Sequence, residues 1–197
     1  GTFDNLTDTL EGRIYKSSDG GKSWTLLAGQ PDQLRPKSYE PANVALPPCA
    51  LQCAITEEHV FFTFANGPSP HGDYTIENNI VNGAVYRYNK ASGEWTEITP
   101  DLELQGGYCA MAVHPEDPDT IFAGSMARWW PQDDIHISTD AGETWHSLIL
   151  DTAIWPHEPV ATFDTESAPY VADKLPHWMT GFAINPFNPN EAMFGTG

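Results

Sequence analysis

Short runs of alternating apolar and polar residues recur along the chain, separated by stretches rich in Gly, Pro, Asp and Asn. The alternation is the mark of β-strands, and the intervening residues mark turns. Residues 12–28 predict two strands, around GRIYK and WTLLA. Residues 50–99 predict four, near ALQCAI, HVFFTF, AVYRY and EWTEI; residues 108–150 predict four more, near CAMAV, TIFAGS, DIHIS and TWHSLI. Residues 178–196 predict a last pair, near TGFAI and AMFGT.

Internal repeats organise these strands. Residues 17–24 (SSDGGKSW) and 138–145 (STDAGETW) share Ser-x-Asp-x-Gly-x-Ser/Thr-Trp, and each joins two alternating runs as a hairpin turn does. Asp19 and Asp140 can accept hydrogen bonds from turn N–H groups. Gly21 and Gly142 allow a positive φ. Trp24 and Trp145 are expected to cover their hairpins and pack on a neighbouring sheet. A third hairpin, VYRYNKASGEWTEI, keeps the outline without the aspartate, with Gly93 and Trp95 in the corresponding places. A second repeat pairs AVHPEDPDTIFAGS (112–125) with AINPFNPNEAMFGT (183–196), both closing on Gly and a hydroxyl residue. Pro115 and Pro186 should end inner strands, because proline cannot donate to a ladder. The Asp/Asn-Pro pairs should then make the turns.

Four-stranded units of about 40–50 residues in series predict an all-β fold, a β-propeller of four-stranded antiparallel blades. The expected layout is a half blade at 12–28, blades at 50–99 and 108–150, an insertion at 151–177 and a half blade at 178–196. About three blades' worth of strands falls short of the roughly four to eight that close a propeller. The sequence therefore predicts an internal piece of a longer polypeptide, with sheet edges left for the remainder of that polypeptide to cover.

Composition narrows the function. Nine Lys+Arg face 27 Asp+Glu among 197 residues, a formal net charge of −18. Nucleic acid and anionic membrane surfaces both call for a basic footprint, so neither is an expected partner. No apolar run approaches the roughly 18 residues of a membrane-spanning helix, and the opening GTFDNLTDTLEGR carries no signal-peptide pattern. The seven histidines show neither HxH nor HExxH, and the three cysteines form no CxxC pair, so no metal or other cofactor is expected. Cys49, Cys53 and Cys109 read as small buried hydrophobes. On an extended strand Cys49 and Cys53 lie about 13 Å apart, beyond the roughly 7 Å reach of a disulfide.

The Ser-x-Asp-x-Gly-x-Thr-Trp hairpin is similar to the Asp-box (BNR repeat) of sialidases, sortilin-type receptors and several polysaccharide hydrolases. Together, ARWWPQDDIHISTDAGETW (127–145), AVYRYNKASGEWTEITP (84–100) and HWMTGFAINPFNPNEAMFGTG (177–197) resemble glycoside hydrolase family seventy-four. The resemblance runs across nearly the whole chain and is looser at 29–48 and 151–176. It implies two tandem seven-bladed propellers, extracellular action on xyloglucan or related β-1,4-glucans of the plant cell wall, and hydrolysis by inversion. It places one catalytic aspartate before residue 1 and the other after residue 197, so no catalytic residue is expected here. Inversion needs its acid and base about 6.5–9.5 Å apart across the sugar.

The candidate residues are therefore cleft-lining ones. Trp129 and Trp130 precede Pro131, which favours extended backbone at Trp130. Adjacent large aromatics cannot both enter one core, and they match the family's tandem tryptophans in the glucan cleft. Asn66 and Tyr74, in the long polar segment FANGPSPHGDYTIENN, are further candidates for sugar contact. Asp133 and Asp134 point to opposite faces if extended, so they read as solvated or hydroxyl-binding rather than as a catalytic pair. Asp19 and Asp140 read as structural. Trp155, Tyr170 and Trp178 lie in or next to the insertion at 151–177, which resembles a cleft-side insertion of the family, with Trp155 equally readable as a packing residue. The competing function is a non-catalytic carbohydrate-binding or sortilin-like receptor propeller. A sialidase is disfavoured because Arg13, Arg35, Arg87 and Arg128 lack the Arg-Ile-Pro setting.

Overall fold

The computed structural model describes residues 2–4, 9–11, 13–31, 49–65, 83–100, 106–126, 133–147 and 179–196. Every regular element among them is a strand. In chain order these are β1 (Thr2–Asp4), β2 (Thr9–Glu11), β3 (Tyr15–Lys16), β4 (Thr25–Leu26), β5 (Cys49–Ile55), β6 (His59–Ala65), β7 (Gly83–Asn89), β8 (Trp95–Glu97), β9 (Gly107–His114), β10 (Asp117–Met126), β11 (Ile135–Ser138), β12 (His146–Ser147), β13 (Met179–Ile184) and β14 (Ala192–Thr196). They form two four-stranded antiparallel sheets, β5-β6-β7-β8 and β9-β10-β11-β12, and three pairs, β1-β2, β3-β4 and β13-β14. The β1-β2 hairpin was not foreseen from the sequence.

From β3-β4 to β13-β14 the sheets stack in chain order, and period-2 alternation feeds a separate core on each side. In β6, Phe62 and Phe64 pack with Ala84 against Ile14 and Leu27 of the β3-β4 hairpin. Phe61 on the opposite face joins Val85 and Ile98 against Tyr108, Met111, Ile121 and Ala123 of the next sheet. That sheet's other face sets Cys109, Ala110, Ala112, Met126 and Ile135 against Phe182 of β13. Phe122 and Phe182 stack there at 5.0 Å between ring centres. A strand buried on both faces reads as a continuous apolar run, which explains HVFFTF.

Strand ends follow local chemistry. β9 stops before Pro115 and β13 stops before Pro186, as a missing N–H donor dictates. The Asn188–Pro189 step does make a turn, with the Glu191 N–H on the Asn188 carbonyl at 2.9 Å. Asp117–Pro118 does not. The turn there is Pro115–Glu116, and Asp117 already lies in β10, where its carboxylate accepts from the Thr120 hydroxyl at 2.6 Å.

The repeated hairpin turn is self-contained. Asp140 accepts from the Ser138 hydroxyl at 2.7 Å, the Thr144 N–H at 2.8 Å and the Thr144 hydroxyl at 2.5 Å. Asp19 accepts from the Ser17 hydroxyl at 2.8 Å, the Ser23 N–H at 2.9 Å and the Ser23 hydroxyl at 2.6 Å. In the third hairpin Asn89 replaces the aspartate, taking the Ala91 and Ser92 N–H groups, each at 2.9 Å.

The tryptophans differ. Trp145 donates its indole N–H to the Ile98 carbonyl of the preceding sheet at 2.7 Å, and Trp95 donates to the Ala28 carbonyl beyond β4 at 3.1 Å. Trp24 is 61% exposed and turns its N–H back to the Gly21 carbonyl of its own turn, at 3.0 Å. The expectation that Trp24 packs on a neighbouring sheet is thus corrected: Tyr15 and Leu26 of the same hairpin are likewise exposed. The cysteines are corrected in part: Cys109 is buried, whereas Cys53 is exposed on the uncovered face of β5, and both are thiols. The thiol state of Cys53 excludes a bridge to Cys49.

Candidate functional site

One end of the stack gathers the features that matter. Register places Cys49, Ala65 and Gly83 together at the end of the first four-stranded sheet. Gly107 and Met126 pair at the end of the second, and Met179 and Thr196 pair at the end of β13-β14. These ends are in contact. A Cβ on Gly83 would collide with the Gly107 Cα, and would sit 2.8 Å from both the Gly107 carbonyl carbon and the Phe64 carbonyl oxygen. Only glycine lets β7 and β9 approach so closely.

The first strands of the two four-stranded sheets and of the β13-β14 pair are irregular at the same place. The ladder skips Leu51 in β5, Cys109 in β9 and Thr180 in β13, each within three residues of the strand's start. Such bulges bend a strand and re-aim the side chains beside it, and they concentrate next to functional sites. Gln52, one residue past its bulge, reaches across to accept the Met111 N–H at 3.1 Å, tying two inner strands together.

A buried polar group lies at this end of the second sheet. Ser125, Asp133 and Asp134 are all 0% exposed. The Ser125 N–H donates to the Asp134 carbonyl at 2.9 Å, and the Ser125 hydroxyl accepts the Asp134 N–H at 2.7 Å. The same hydroxyl can donate to Asp133 Oδ1 at 3.5 Å or to the Asp134 carbonyl at 3.4 Å. Cys109 lies close by, and its thiol is pushed far above the ordinary range by burial first and by the negative charge of Asp133 second. Tyr108 and His136 face one another at 6.1 Å between ring centres. The solvated reading of Asp133 and Asp134 is therefore overturned. Pinning to Ser125, which is itself buried, carries both carboxylates into the sheet stack rather than onto its surface.

Asp19 and Asp140 lie at the other end, in the turns. Side-chain hydroxyl donors first (Ser23 and Thr144), then backbone N–H groups, hold both carboxyls down at about 2. Carboxylates saturated by their own turn have no geometry for proton transfer to a substrate.

Trp129, Trp130, Asn66 and Tyr74 lie outside the described residues, as do Trp155, Tyr170 and Trp178. The structure does place the strand ends that carry the first four. Ala65 and Gly83 bound the segment with Asn66 and Tyr74; Met126 and Asp133 bound the segment with Trp129 and Trp130. Ala65 and Met126 belong to the same apolar cluster. Sequence reasoning missed Gly83, Gly107 and Ser125. For Ser125 a signal existed: the hydroxyl residue that closes both copies of the second repeat.

No family model matches the chain. Individual proteins do, along almost all of it. A crystallised family seventy-four xyloglucanase from Xanthomonas campestris superposes with a TM-score of 0.67 at 31% identity, over 93% of this chain and 22% of that one. This chain is related to the xyloglucanases. A Niastella koreensis family seventy-four enzyme shares the fold, with a TM-score of 0.65 at 23% identity over 96% of this chain and 24% of that one. In sequence, the chain is 29% identical to a Paenibacillus xyloglucanase over 98% of its length, and 28% identical to a Hypocrea jecorina xyloglucanase over 100%. A probable oligoxyloglucan-reducing end-specific xyloglucanase of Neosartorya fischeri is 28% identical over 95% of this chain. The chain spans only 18% to 28% of the length of these three relatives.

Proposed function

We propose that this chain is a segment of a secreted glycoside hydrolase that cleaves β-1,4-glucan backbones, xyloglucan foremost, with inversion. The observation that carries this reading is the likeness to xyloglucanases, in sequence and in fold, along 93% or more of the chain. In this reading the sheets β5-β6-β7-β8 and β9-β10-β11-β12 are two blades of a propeller. The pairs β3-β4 and β13-β14 are parts of two more, completed by the rest of the polypeptide. The segment lines the glucan cleft, and the catalytic aspartates belong to other parts of the protein. Trp129 and Trp130 stack on pyranose rings, and Asn66 and Tyr74 are further candidates for sugar contact. A receptor-type binding propeller is the weaker reading, because the relatives found are hydrolases by name.

The test is Trp129→Ala and Trp130→Ala in the full-length protein that carries this chain. A ring covering about 60–80 Å² of sugar is worth on the order of 1.5–2 kcal/mol. Each variant should bind xyloglucan about tenfold more weakly, while turnover of a short saturating substrate stays near the parent's. Unchanged xyloglucan affinity in both variants, measured by titration calorimetry, rejects the stacking role. Measurable reducing-sugar release by the 197-residue chain alone, above a heat-treated control, rejects the placement of the catalytic pair outside it.

A further inference from the structure

The two four-stranded sheets also meet along their outer edge, where β8 and β12 are the last strands. There the turn before β12 packs on β8, and three contacts fix it. Gly142, at φ +93°, lies so close to Ile98 that a Cβ would collide with the Ile98 Cδ1. Trp145 donates its indole N–H to the Ile98 carbonyl at 2.7 Å. Arg87 donates to the Ala141 carbonyl at 3.0 Å and to Glu143 Oε1 at 2.9 Å. Ala141 is the one non-glycine residue with a positive φ, 55°, among the described residues, and its N–H is held by the Asp119 carbonyl at 2.9 Å. Beside these contacts a recess of about 290 Å³ lies between β8 and the turn, with Thr96, Ile98, Pro100, Glu143 and Trp145 in its lining.

We propose that this recess is a second carbohydrate-binding site, which takes one pyranose of a neutral β-glucan chain. It uses none of the residues assigned to the cleft. Trp145 is half-buried and lines the recess, so part of its indole faces it. A flat apolar ring suits the apolar face of a pyranose. Polar groups for the sugar hydroxyls stand around it. Register puts Thr96 opposite Arg87, on the face of β8 turned to the second sheet, where its hydroxyl can donate and accept. Arg87 takes Glu143 Oε1, which leaves Oε2 to accept from a ligand on a side chain that is 65% exposed. The volume lies just below the roughly 300–1,000 Å³ of small-molecule sites, which fits a single ring. Charge selects against other ligands. Glu97 and Glu143, in a chain of net charge −18, repel anions. Both carboxylates are also engaged already, Glu143 by Arg87 and Glu97 by the Thr99 hydroxyl at 2.9 Å, which disfavours a cation. The walls are held before any ligand arrives, so binding has little freedom to remove. The choice of a β-glucan among neutral sugars rests on the xyloglucan reading above.

The experiment is hydrogen–deuterium exchange, read by mass spectrometry, on the full-length protein that carries this chain, with and without a xyloglucan oligosaccharide of four backbone glucoses. Peptides covering residues 96–100 and 142–145 should exchange about threefold more slowly, or slower still, with the sugar present. Thr96→Val removes a hydroxyl at nearly constant size and leaves the Arg87–Glu143 pair in place. Glu143→Gln removes the charge and keeps an acceptor for Arg87. In the combined variant the protection of these two peptides should fall by at least half while that of other peptides persists, and binding to immobilised xyloglucan should weaken about threefold. If the combined variant does not fold, Thr96→Val alone carries the comparison. No protection of either peptide, in a parent that hydrolyses xyloglucan, overturns the proposal and leaves the function proposed above standing. Protection that survives the combined substitution overturns it as well, because it then spreads from elsewhere. Protection by calcium chloride without sugar makes the recess a cation site and also overturns it. A parent that does not hydrolyse xyloglucan removes the proposed function and the β-glucan ligand together.

Discussion

Trp24 and Trp145 occupy the same position of the same turn motif, and the fold puts only one of them between sheets. That makes them a matched pair for asking where the motif's stabilisation resides. Trp145 is largely covered and donates to the Ile98 carbonyl at 2.7 Å. Trp24 is 61% exposed and bonds within its own turn. A tryptophan side chain offers about 200 Å² for burial. At about 25 cal/mol per Å², covering most of it, as at Trp145, is worth on the order of 3–4 kcal/mol, and covering well under half of it, as at Trp24, about 2 kcal/mol, both upper bounds. The inter-sheet hydrogen bond adds about 1 kcal/mol for Trp145. Trp145→Ala should therefore destabilise the chain by about 4 kcal/mol and Trp24→Ala by no more than about 2 kcal/mol. The Phe variants separate area from hydrogen bond: about 1–2 kcal/mol for Trp145→Phe, and a few tenths for Trp24→Phe. Urea unfolding followed by far-UV circular dichroism reads all four variants without depending on tryptophan fluorescence. Equal losses at the two positions would refute the reasoning and place the tryptophan's contribution inside the turn rather than between sheets.

Acid should loosen the turns within a defined window. Asp19 and Asp140 titrate at about 2 in the fold against about 3.9 when unfolded. Their stabilisation is therefore complete above about pH 4 and is lost as pH falls from there towards 2. Thr144→Val should raise the Asp140 titration midpoint seen by NMR, and an unmoved midpoint would contradict the hydrogen-bond cause. Gly83→Ala drives a Cβ into the Gly107 backbone and should cost about 3 kcal/mol or more; a parental urea midpoint would show that the two sheets are not so close. Native protein should take up a thiol reagent at Cys53, which is exposed, while Cys109 reacts only on unfolding. Labelling of Cys109 in native protein, read by peptide mass spectrometry, would contradict its burial.

The sequence by itself determined whatever is settled within a few residues. Two-residue alternation specified most of the strands, and Pro115 and Pro186 ended two of them because a missing N–H is a local fact. The turns were legible for the same reason, since the hydrogen bonds of Asp19 and Asp140 reach no farther than four residues. What remained hidden depends on residues far apart in the chain. Arg87 donates to the Ala141 carbonyl at 3.0 Å and pairs with Glu143, and no periodicity announces a partner more than 50 positions away. Whether a motif tryptophan is buried depends on a sheet arriving beside it, so Trp24 and Trp145 read alike and fold differently. Asp133 and Asp134 read as solvated or hydroxyl-binding because neighbours on an extended strand point to opposite faces. The tertiary structure decided otherwise: both are fully buried, with the Asp134 backbone held by a serine nine residues upstream.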